Sequence, residues 1–514
     1  MKAPADPTAL DPREMAALRS ALSASGPVGA TYRQLATVLS VPEPRLRSTL
    51  EAWERDGAVH RLGRGLFVLE AYATLDARED FVDPRAFDER FLAENGVPIG
   101  TYDGPITFRS NETLPVHRWW PYVQGYSAEF VRGVLSAEGV GRGAVVLDPF
   151  CGSGTTLVEA RRAGAGAIGV ELLAPAVLAA TVKTAFETDA DRLEREADRI
   201  VRASARGSAG PLPFLRETRR QFRAASLEEL LRLREALPEG TTREARAARL
   251  AFGRILIPSS RLHRSPCLGY RRAEGNEGPS PTERFRGAVG TIAEDLRELR
   301  TQRAGWGPPA RIVQGDARAV RLRPGSVSLA VTSPPYVNGM DYVMNYKVDL
   351  AWLGYARSYA DLRALRGAEV ACDNLPRADI ARFATTAGAP DPWLREILER
   401  IDRNVRAKGT YRRNDMHAVV HRYFADLVPV LRRVHDALAP GGRFVVVVGD
   451  SLLAGVYVPG DLLLARIRPK SWCERTRVPS RSNATPSNGS RNLGSVERPG
   501  IAGDRRLRPR PRSR

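Results

Sequence analysis

Cysteine is scarce in this sequence, and its spacing fits neither a metal centre nor a disulfide framework. The four cysteines stand far apart, at Cys151, Cys267, Cys372 and Cys473. Zinc sites and disulfide scaffolds rely on sets of cysteines such as Cys-x-x-Cys pairs, and the sequence has no such pair. We therefore expect no bound metal and no disulfide scaffold.

Long apolar runs are also missing. The first residues, Met1-Lys-Ala-Pro-Ala-Asp6, contain no apolar stretch of signal-peptide length, and no window approaches the length of a membrane span. The 514 residues predict two to three domains, and a hydrophobic content of 43% is enough for packed cores. These features predict a cytoplasmic protein without a membrane partner.

Acidic residues are clearly outnumbered. The sequence has 78 lysine and arginine residues against 59 aspartate and glutamate residues, a net charge of +19. Such an excess favours a polyanionic partner, with nucleic acid the first candidate. A solvated arginine-rich surface from a composition-biased genome is the alternative explanation.

An apolar run followed by a glycine-rich loop is the stretch around which the chain is organised. Residues 144–147, Ala-Val-Val-Leu, predict a buried parallel strand. The loop Asp-Pro-Phe-Cys-Gly-Ser-Gly follows at 148–154, and Thr155 begins a predicted helix. Such a helix start has unpaired N–H groups and the positive end of a helix dipole.

The glycines and a later acid give this unit the features of a ligand site. Gly152 and Gly154 allow the backbone to turn sharply and to approach a ligand closely. A second apolar strand at 167–170 ends in Glu171. In dinucleotide folds an acid at about this distance binds ribose hydroxyls.

A second motif follows a later apolar strand at 326–331. That strand runs into Thr-Ser-Pro-Pro-Tyr at 332–336, where the prolines end it and fix an extended turn. In a parallel sheet the turn lies at the carboxyl ends of the strands, where open α/β folds bind ligands. Together with the loop at 148–154, this motif resembles the S-adenosylmethionine-dependent DNA amino-methyltransferases, which methylate cytosine N4 or adenine N6. The resemblance covers about residues 117–464, with long unmatched insertions.

The resemblance implies roles for residues at both motifs. Asp316, which follows a strand at 310–314, would accept a hydrogen bond from the cofactor adenine, and a turn-capping role is its alternative. Tyr122 and Tyr126 would flank the methionine end of the cofactor or else belong to the core. The implied cofactor-binding residues are Asp148, Phe150, Gly152, Gly154, Glu171 and Asp316. The implied catalytic residues are Ser333, Pro334, Pro335 and Tyr336.

Methylation of an exocyclic amine requires hydrogen-bond acceptors rather than a strong base, because the nitrogen lone pair is delocalised into the ring. The Ser333 hydroxyl and the Pro334 carbonyl oxygen would accept the two amino protons and turn the lone pair toward the methyl group. Positioning would then carry most of the rate. Tyr336 would stack on a base that has left the duplex.

The identity of the base is a finer question. By the resemblance, serine before Pro-Pro-Tyr is commoner among cytosine-N4 enzymes and aspartate among adenine-N6 enzymes, so the sequence favours cytosine N4. A carbon-5 cytosine methyltransferase would need a Pro-Cys nucleophile after its fourth strand. Pro266-Cys267 lies in a charged insertion with no strand predicted before it, and we interpret it as a chance dipeptide.

Residues 12–69 form a separate predicted unit that resembles a winged helix. Its elements are helices at 13–23, 29–39 and 45–55 and a two-stranded ribbon at 59–69. Arg45 and Arg47 would face outward from the recognition helix, and Arg61 and Arg64 would lie on the wing. This basic face favours DNA contact, and docking to another protein is the alternative.

An insertion at 181–305 is helical, strongly charged and too long for a simple crossover. Its predicted helices lie at 189–205, 226–237, 242–257 and 282–300. Between them, a predicted loop at 259–272 is dense in arginine and hydroxyl groups. We expect target recognition here, with DNA contacts from Arg261, Arg264, Arg271 and Arg272. A plain helical lid is the alternative.

The last residues, 468–514, differ in character from the rest. They contain thirteen lysine or arginine residues and three acids, with no period-2 alternation, so they are predicted to be disordered. One explanation is a basic arm that adds salt-sensitive DNA affinity. The other is a reading-frame shift near Ile467 that replaced the two closing strands of the family's sheet. The shift is favoured, because the change falls inside a predicted helix.

These patterns predict an α/β protein with a Rossmann-like methyltransferase sheet and helical insertions, preceded by a small winged-helix domain and followed by a disordered basic tail. The predicted divisions are 1–75 (winged helix), 76–115 (linker), 116–180 and 306–467 (the two parts of the core), 181–305 (insertion) and 468–514 (tail). The expected function is site-specific transfer of a methyl group from S-adenosylmethionine to cytosine N4 of double-stranded DNA, with any restriction-system partner unknown. Open alternatives are an adenine-N6 enzyme, an RNA methyltransferase, and a winged-helix regulator that only senses the cofactor.

Overall fold

The structure of the protein is a computed structural model. It describes residues 10–25, 30–63, 66–69, 84–95, 106, 108–122, 125–264, 267–271, 278–301, 305–337, 340–370, 377–408, 414–468, 479–481 and 499–502. Across these ranges, no helix is both long enough and apolar enough to span a bilayer.

The first unit packs three helices on a small antiparallel sheet. In chain order its elements are α1 (Pro12–Ser25), β1 (Ala30–Thr31), α2 (Tyr32–Leu39), α3 (Glu43–Arg55), β2 (Val59–Gly63) and β3 (Leu66–Leu69). The strand order is β1-β3-β2. Leu46, Leu50 and Phe67 are fully buried in its apolar core. The three helices and the two-stranded ribbon follow the predicted order, but the strand β1 was not predicted: it occupies residues that the sequence assigned to the start of the second helix.

The chain then reaches the central sheet. The helices α4 (Pro84–Asn95) and α5 (Ala128–Ala137) come first, and then β4 (Val145–Asp148), α6 (Thr155–Arg162), β5 (Gly166–Glu171) and α7 (Ala174–Thr184). The start of α5 is fixed by Ser127, whose hydroxyl oxygen accepts a hydrogen bond from the Phe130 N–H at 3.0 Å. The predicted unit of strand, glycine-rich loop and helix is therefore present.

The insertion that follows is a helical layer with one hairpin. Its elements are α8 (Ala190–Arg206), α9 (Thr218–Gln221), α10 (Ala224–Ala236), α11 (Arg243–Leu256), β6 (Leu262–Arg264), β7 (Leu268–Tyr270) and α12 (Pro281–Thr301). The four long helices match the predicted ones, because each buries an apolar stripe at helical spacing, as Leu193, Ala197 and Ile200 do in α8. The prediction of a loop at 259–272 is wrong in part, because this stretch contains the antiparallel pair β6–β7.

Three further strands complete the sheet: β8 (Arg311–Gln314), β9 (Val327–Thr332) and β10 (Leu438–Val446). The five strands are parallel and lie in the order β10-β9-β4-β5-β8. The chain builds outward from β4 to β5 and β8, and then returns to the other side of β4 with β9. This reversal opens a crevice at the carboxyl ends of the strands, where α/β folds bind ligands.

Helices fill the connection between β9 and β10. They are α13 (Tyr342–Asn345), α14 (Lys347–Trp352), α15 (Tyr359–Ala368), α16 (Arg377–Phe383), α17 (Pro392–Lys408) and α18 (Met416–Ala437). In α17, Trp393, Ile397 and Ile401 are buried in one apolar cluster, which also includes Phe91 of α4 and apolar residues between 448 and 467. The chain continues through β11 (Val448–Gly449), β12 (Ser451–Leu453), β13 (Val456–Val458) and α19 (Gly460–Ile467).

Two short strands in the tail correct the expectation that residues 468–514 form no regular structure. They are β14 (Pro479–Arg481) and β15 (Pro499–Ala502), which pair with each other antiparallel, and β15 also pairs with β11. An open sheet edge offers backbone N–H and C=O groups, so pairing there requires no alternating apolar pattern. Apart from Arg468 and these two strands, the tail lies outside the described residues. The frame-shift hypothesis stays a prediction.

Candidate active site

The glycine-rich loop turns at the carboxyl end of β4. Gly152 and Gly154 have φ angles of +48° and +88°, in the left-handed region that favours glycine. A Cβ added to Gly152 would lie 2.8 Å from Cε1 of Tyr122. A Cβ added to Gly154 would lie 3.0 Å from Cα of Ala180 in α7. The absence of a Cβ at Gly154 therefore allows α6 to pack against α7. The sequence predicts a cofactor contact for Gly154, which stays a prediction.

Asp148 connects the two sequence motifs. Its Oδ1 accepts hydrogen bonds from the Thr332 hydroxyl at 2.7 Å and from the Phe150 N–H at 3.1 Å. Its Oδ2 accepts from the hydroxyls of Thr156 and Tyr126, each at 2.7 Å. Burial raises the pKa of Asp148, while these hydrogen bonds lower it. Through these bonds Asp148 holds the two motifs together; it also lines the cleft described below, and direct cofactor binding by Asp148 stays a prediction.

Glu171 ends β5 and is bound to the glycine-rich loop. Its Oε2 accepts a hydrogen bond from the Gly152 N–H at 3.0 Å, and its Oε1 accepts from the Leu173 N–H at 2.7 Å. Desolvation raises the pKa of Glu171 to about 7, and the backbone hydrogen bonds lower it only in part. Each carboxylate oxygen has more than one lone pair, so both retain acceptor capacity for ligand hydroxyls.

Asp316 follows β8 and forms an ion pair that the sequence does not predict. Nε and Nη2 of Arg318 donate to Asp316 Oδ2 at 3.0 Å and 2.7 Å. Nη1 of the same arginine lies 2.9 Å from Asp426, which is on α18. A ligand that bonded to Asp316 would therefore share its carboxylate with Arg318.

These groups surround one cleft with an empty volume of about 870 Å³, open solvent at its mouth included. Of the four predicted catalytic residues, Ser333 and Pro335 line the cleft together with Phe150, Gly152, Glu171 and Asp316. Pro334 and Tyr336 do not line it. The Tyr336 ring lies beside Gly449, where an added Cβ would be 3.3 Å from Tyr336 Cδ2.

Aromatic residues form another wall of the cleft. Tyr122 and Tyr342 both line it, and their rings are stacked with centroids 6.5 Å apart and an interplanar angle of 19°. Tyr126 also lines the cleft, so both tyrosines that the sequence proposes as cofactor walls reach it. Residues 368–370 also line the cleft, and the sequence did not predict this. They lie at the end of α15 and carry no motif, although the acid Glu369, buried in an apolar context, is a weak signal.

The amino-terminal arginines differ in their surroundings. Arg45 forms a 2.7 Å ion pair with Glu14 and is partly buried, which leaves it less available than the sequence suggests. Arg47 is exposed, and its guanidinium lies 5.0 Å from the centroid of the Tyr32 ring. Arg64 lies outside the described residues, and so does the side chain of Arg61.

The predicted arginines of the insertion divide into two groups. Arg271 is exposed and Arg261 is half-buried. Arg264 instead points inward, with only 10% of its side chain exposed, and pairs with the buried Asp349. This ion pair contradicts a DNA contact by Arg264, because a carboxylate already neutralises its guanidinium. Arg272 lies outside the described residues.

Residues 134–181, which include β4, the glycine-rich loop and β5, match the family model N6_N4_Mtase, described as DNA methylase. In this stretch the chain is similar to the DNA methylases that this model describes. The cleft suits S-adenosylmethionine, the cofactor that the resemblance implies: Glu171 offers acceptors for a ribose diol, and the glycine-rich loop leaves space beside it. Among the described residues, no set of three or more histidine, cysteine, aspartate and glutamate side chains is arranged to hold a metal ion.

Two curated relatives extend the similarity over most of the chain. Type II methyltransferase M.BsoBI of Geobacillus stearothermophilus is 23% identical over 412 residues, which is 70% of this chain and 79% of that protein. Type II methyltransferase M.AvaI of Nostoc sp. strain PCC 7120 is 23% identical over 429 residues, which is 74% of this chain and 84% of that protein. An O-methyltransferase (NcsB1) from neocarzinostatin biosynthesis, solved with S-adenosyl-L-homocysteine, is 11% identical and covers 97% of both chains. Its TM-score of 0.17 is too low to support an argument.

Proposed function

We propose that this protein transfers a methyl group from S-adenosylmethionine to the N4 amine of cytosine in double-stranded DNA. The observation that carries the proposal is the position of Ser333, which lines the same cleft as Gly152 and Glu171. An acceptor for the target amine and the elements that suit the cofactor thus share one space. The type II methyltransferases among the relatives support site-specific DNA as the substrate.

In the proposed reaction the side chains orient the amine rather than remove its proton beforehand. The Ser333 hydroxyl oxygen and the Pro334 carbonyl oxygen accept the two amino protons, which turns the nitrogen lone pair toward the methyl group. The bound cofactor supplies an electrophilic methyl group. Tyr336, which lies beside Gly449 and outside the lining of the cofactor cleft, would stack on the base after the base leaves the duplex.

Serine at position 333 also supports cytosine N4 over adenine N6, by the resemblance drawn from the sequence. An adenine-N6 enzyme would use the same cleft and the same acceptors, so the base must be determined from the product. Substrate RNA and a regulator that only senses cofactor remain alternatives that the same assays separate.

Two surfaces are proposed to contact DNA. Residues 12–69 act as a winged helix with Arg47 on its exposed face. On the insertion, Tyr270 at the end of β7 and Arg271 just after it are both exposed. The guanidinium of Arg220 lies 4.7 Å from the centroid of the Tyr270 ring. An exposed arginine beside an aromatic ring suits both phosphate contact and base stacking.

The proposal is tested by following a labelled methyl group from S-adenosylmethionine into duplex DNA, single-stranded DNA and RNA. We expect incorporation into duplex DNA and its loss in Ser333→Ala, with binding of S-adenosylhomocysteine retained. Cys267→Ser is the matched control, because only a carbon-5 mechanism would need that thiol. Incorporation confined to RNA, or none with any nucleic acid, would overturn the proposed substrate.

A further inference from the structure

We propose that Arg264 is a positioning residue of the cofactor cleft, which it supports through a stack of aromatic rings that ends at the glycine-rich loop. The inference rests on the proposed function in one respect, that the cleft binds the cofactor. It assigns to the β6–β7 hairpin an inward-facing role in addition to the proposed DNA contact of its exposed residues.

The first step is the anchoring of Arg264. Its Nη2 donates to Oδ2 of Asp349, a carboxylate on α14 with 1% exposure. Its Nε donates to the backbone oxygen of Asn345 at 3.2 Å. Two separate nitrogens are thus engaged, which fixes the plane of the guanidinium as well as its position.

The second step is the stack that begins at this plane. The Arg264 guanidinium lies 4.2 Å from the centroid of the Tyr346 ring, which is 1% exposed. The Tyr346 ring is stacked on that of Tyr122, with centroids 5.7 Å apart and an interplanar angle of 20°. A cation held over a desolvated ring is worth more than one at a surface.

The third step is the contact between the stack and the cofactor loop. Tyr122 lines the cleft and lies so close to Gly152 that an added Cβ there would be 2.8 Å from its ring. A change in the plane of Tyr346 therefore shifts Tyr122, and Tyr122 forms the surface on which the glycine-rich loop rests. Arg264 supports the shape of the cleft without contacting it.

Arg271 gives an internal comparison on the same hairpin. It follows β7, is exposed, and its Nε donates to the backbone oxygen of Leu262 at 2.9 Å. Arg264 and Arg271 thus carry the same charge on or beside one hairpin, but Arg264 is largely buried against Asp349 and Arg271 is exposed. Neutralising Arg271 removes a positive charge from the surface, whereas neutralising Arg264 leaves the buried Asp349 without its cation.

The experiment measures the affinity of the full chain for S-adenosylhomocysteine by calorimetry and for duplex DNA by fluorescence anisotropy. The main variant is Arg264→Met with Asp349→Leu, because replacing both members of a buried ion pair with apolar residues usually preserves stability. We expect about tenfold weaker S-adenosylhomocysteine binding, of the size that a lost cation–ring contact and a loosened ring stack produce. DNA affinity should stay within about twofold. Arg271→Gln should show the opposite pattern, weaker DNA binding and unchanged S-adenosylhomocysteine binding.

A second measurement separates a positioning role from a merely structural one. Tyr346→Leu alone should also weaken S-adenosylhomocysteine binding about tenfold, but added to the Arg264→Met and Asp349→Leu variant it should cost less than about a further twofold, because both changes break one stack. The paired variant, Arg264→Met with Asp349→Leu, should raise KM for S-adenosylmethionine more than it lowers kcat.

Three results would overturn the inference. One is unchanged S-adenosylhomocysteine affinity in the paired variant with circular dichroism like that of the wild type. Another is weaker DNA binding by the paired variant with unchanged S-adenosylhomocysteine binding, which would support a DNA contact by Arg264. The last is a loss of S-adenosylhomocysteine affinity that multiplies when Tyr346→Leu is added to the paired variant. If the paired variant does not fold, Arg264→Lys replaces it, since lysine keeps the charge but not the planar contacts. Weaker S-adenosylhomocysteine binding by Arg264→Lys would support the inference, and unchanged binding would overturn it. Failure of the proposed function is distinct, because it is read on the wild type: either the wild type does not bind S-adenosylhomocysteine, or it binds S-adenosylhomocysteine and transfers no methyl group to DNA.

Discussion

The hydroxyl of Thr332 donates a hydrogen bond to the carboxylate of Asp148 at 2.7 Å. These residues belong to the two motifs that lie 184 residues apart in the chain, and both side chains are 1% exposed. The parallel pairing of β4 with β9 brings them together at the carboxyl edge of the sheet. Through this bond the glycine-rich loop and the Ser-Pro-Pro-Tyr turn have a fixed relative position.

Thr332→Val tests this link. Valine keeps the shape of threonine but removes the donor, so Asp148 loses one partner inside the protein. We expect the free energy of unfolding to fall by about 1–3 kcal/mol in urea titrations, with a slower methyl transfer. Thr332→Ser retains the hydroxyl and is the matched control. A loss in Thr332→Ser without a loss in Thr332→Val would mean that the methyl group matters rather than the hydrogen bond.

Gly152→Val tests the glycine-rich loop. The new side chain must adopt a φ near +48° and would collide with Tyr122, so binding of S-adenosylhomocysteine should fall below detection by calorimetry. Gly139→Val is the control, because Gly139 also has a positive φ, +64°, but nothing lies within 4 Å of an added Cβ. Retained affinity in a folded Gly152→Val variant would exclude this loop as the cofactor site.

The raised pKa of Glu171 predicts a pH dependence. Hydroxyl donors bind the ionised carboxylate better, so cofactor affinity should rise as the pH increases through about 7. The free energy of unfolding of the cofactor-free protein should instead fall as the pH rises from about 4.5 to about 7. In this range the folded state retains a proton on Glu171 that the unfolded chain has released. Calorimetry and urea titration across this range should show both slopes. Glu171→Gln should flatten them, and slopes unchanged in that variant would assign the titration to another group.

Asp295 predicts a large stability effect away from the cleft. This buried carboxylate on α12 accepts hydrogen bonds from the Val116 N–H at 2.9 Å and from Trp119 Nε1 at 2.7 Å, and it pairs with Arg118. Val116 has a φ of +71°, which a β-branched residue adopts only under constraint. Asp295→Ala should lower the free energy of unfolding by about 3 kcal/mol in urea, whereas the exposed neighbour Glu294→Ala should change it by less than about 0.5 kcal/mol. Equal losses of stability in Asp295→Ala and Glu294→Ala would contradict the view that the hydrogen bonds of Asp295 hold residues 116–119 in place.

Local patterns predicted much of the fold. Apolar runs bounded by glycine and proline marked the strands of the sheet, and apolar spacing marked the four long helices of the insertion. The β6–β7 hairpin was missed because each strand has only three residues, too few to show alternation. The partners of Arg264 and Asp295 could not be predicted, because Asp349 is 85 residues from Arg264 and Trp119 is 176 residues from Asp295. Such pairs depend on how the helices pack.

The most direct test of the central claim is mass spectrometry of nucleosides from duplex DNA incubated with the protein and S-adenosylmethionine that carries an isotope-labelled methyl group. Cytosine N4 as the target predicts labelled N4-methyldeoxycytidine, which is absent when Ser333→Ala replaces the wild type. Labelled N6-methyldeoxyadenosine alone would contradict the base assignment and leave the amine chemistry in place. Labelled 5-methyldeoxycytidine, or no labelled nucleoside from a protein that binds S-adenosylhomocysteine, would contradict the claim that this cleft methylates an exocyclic amine of DNA.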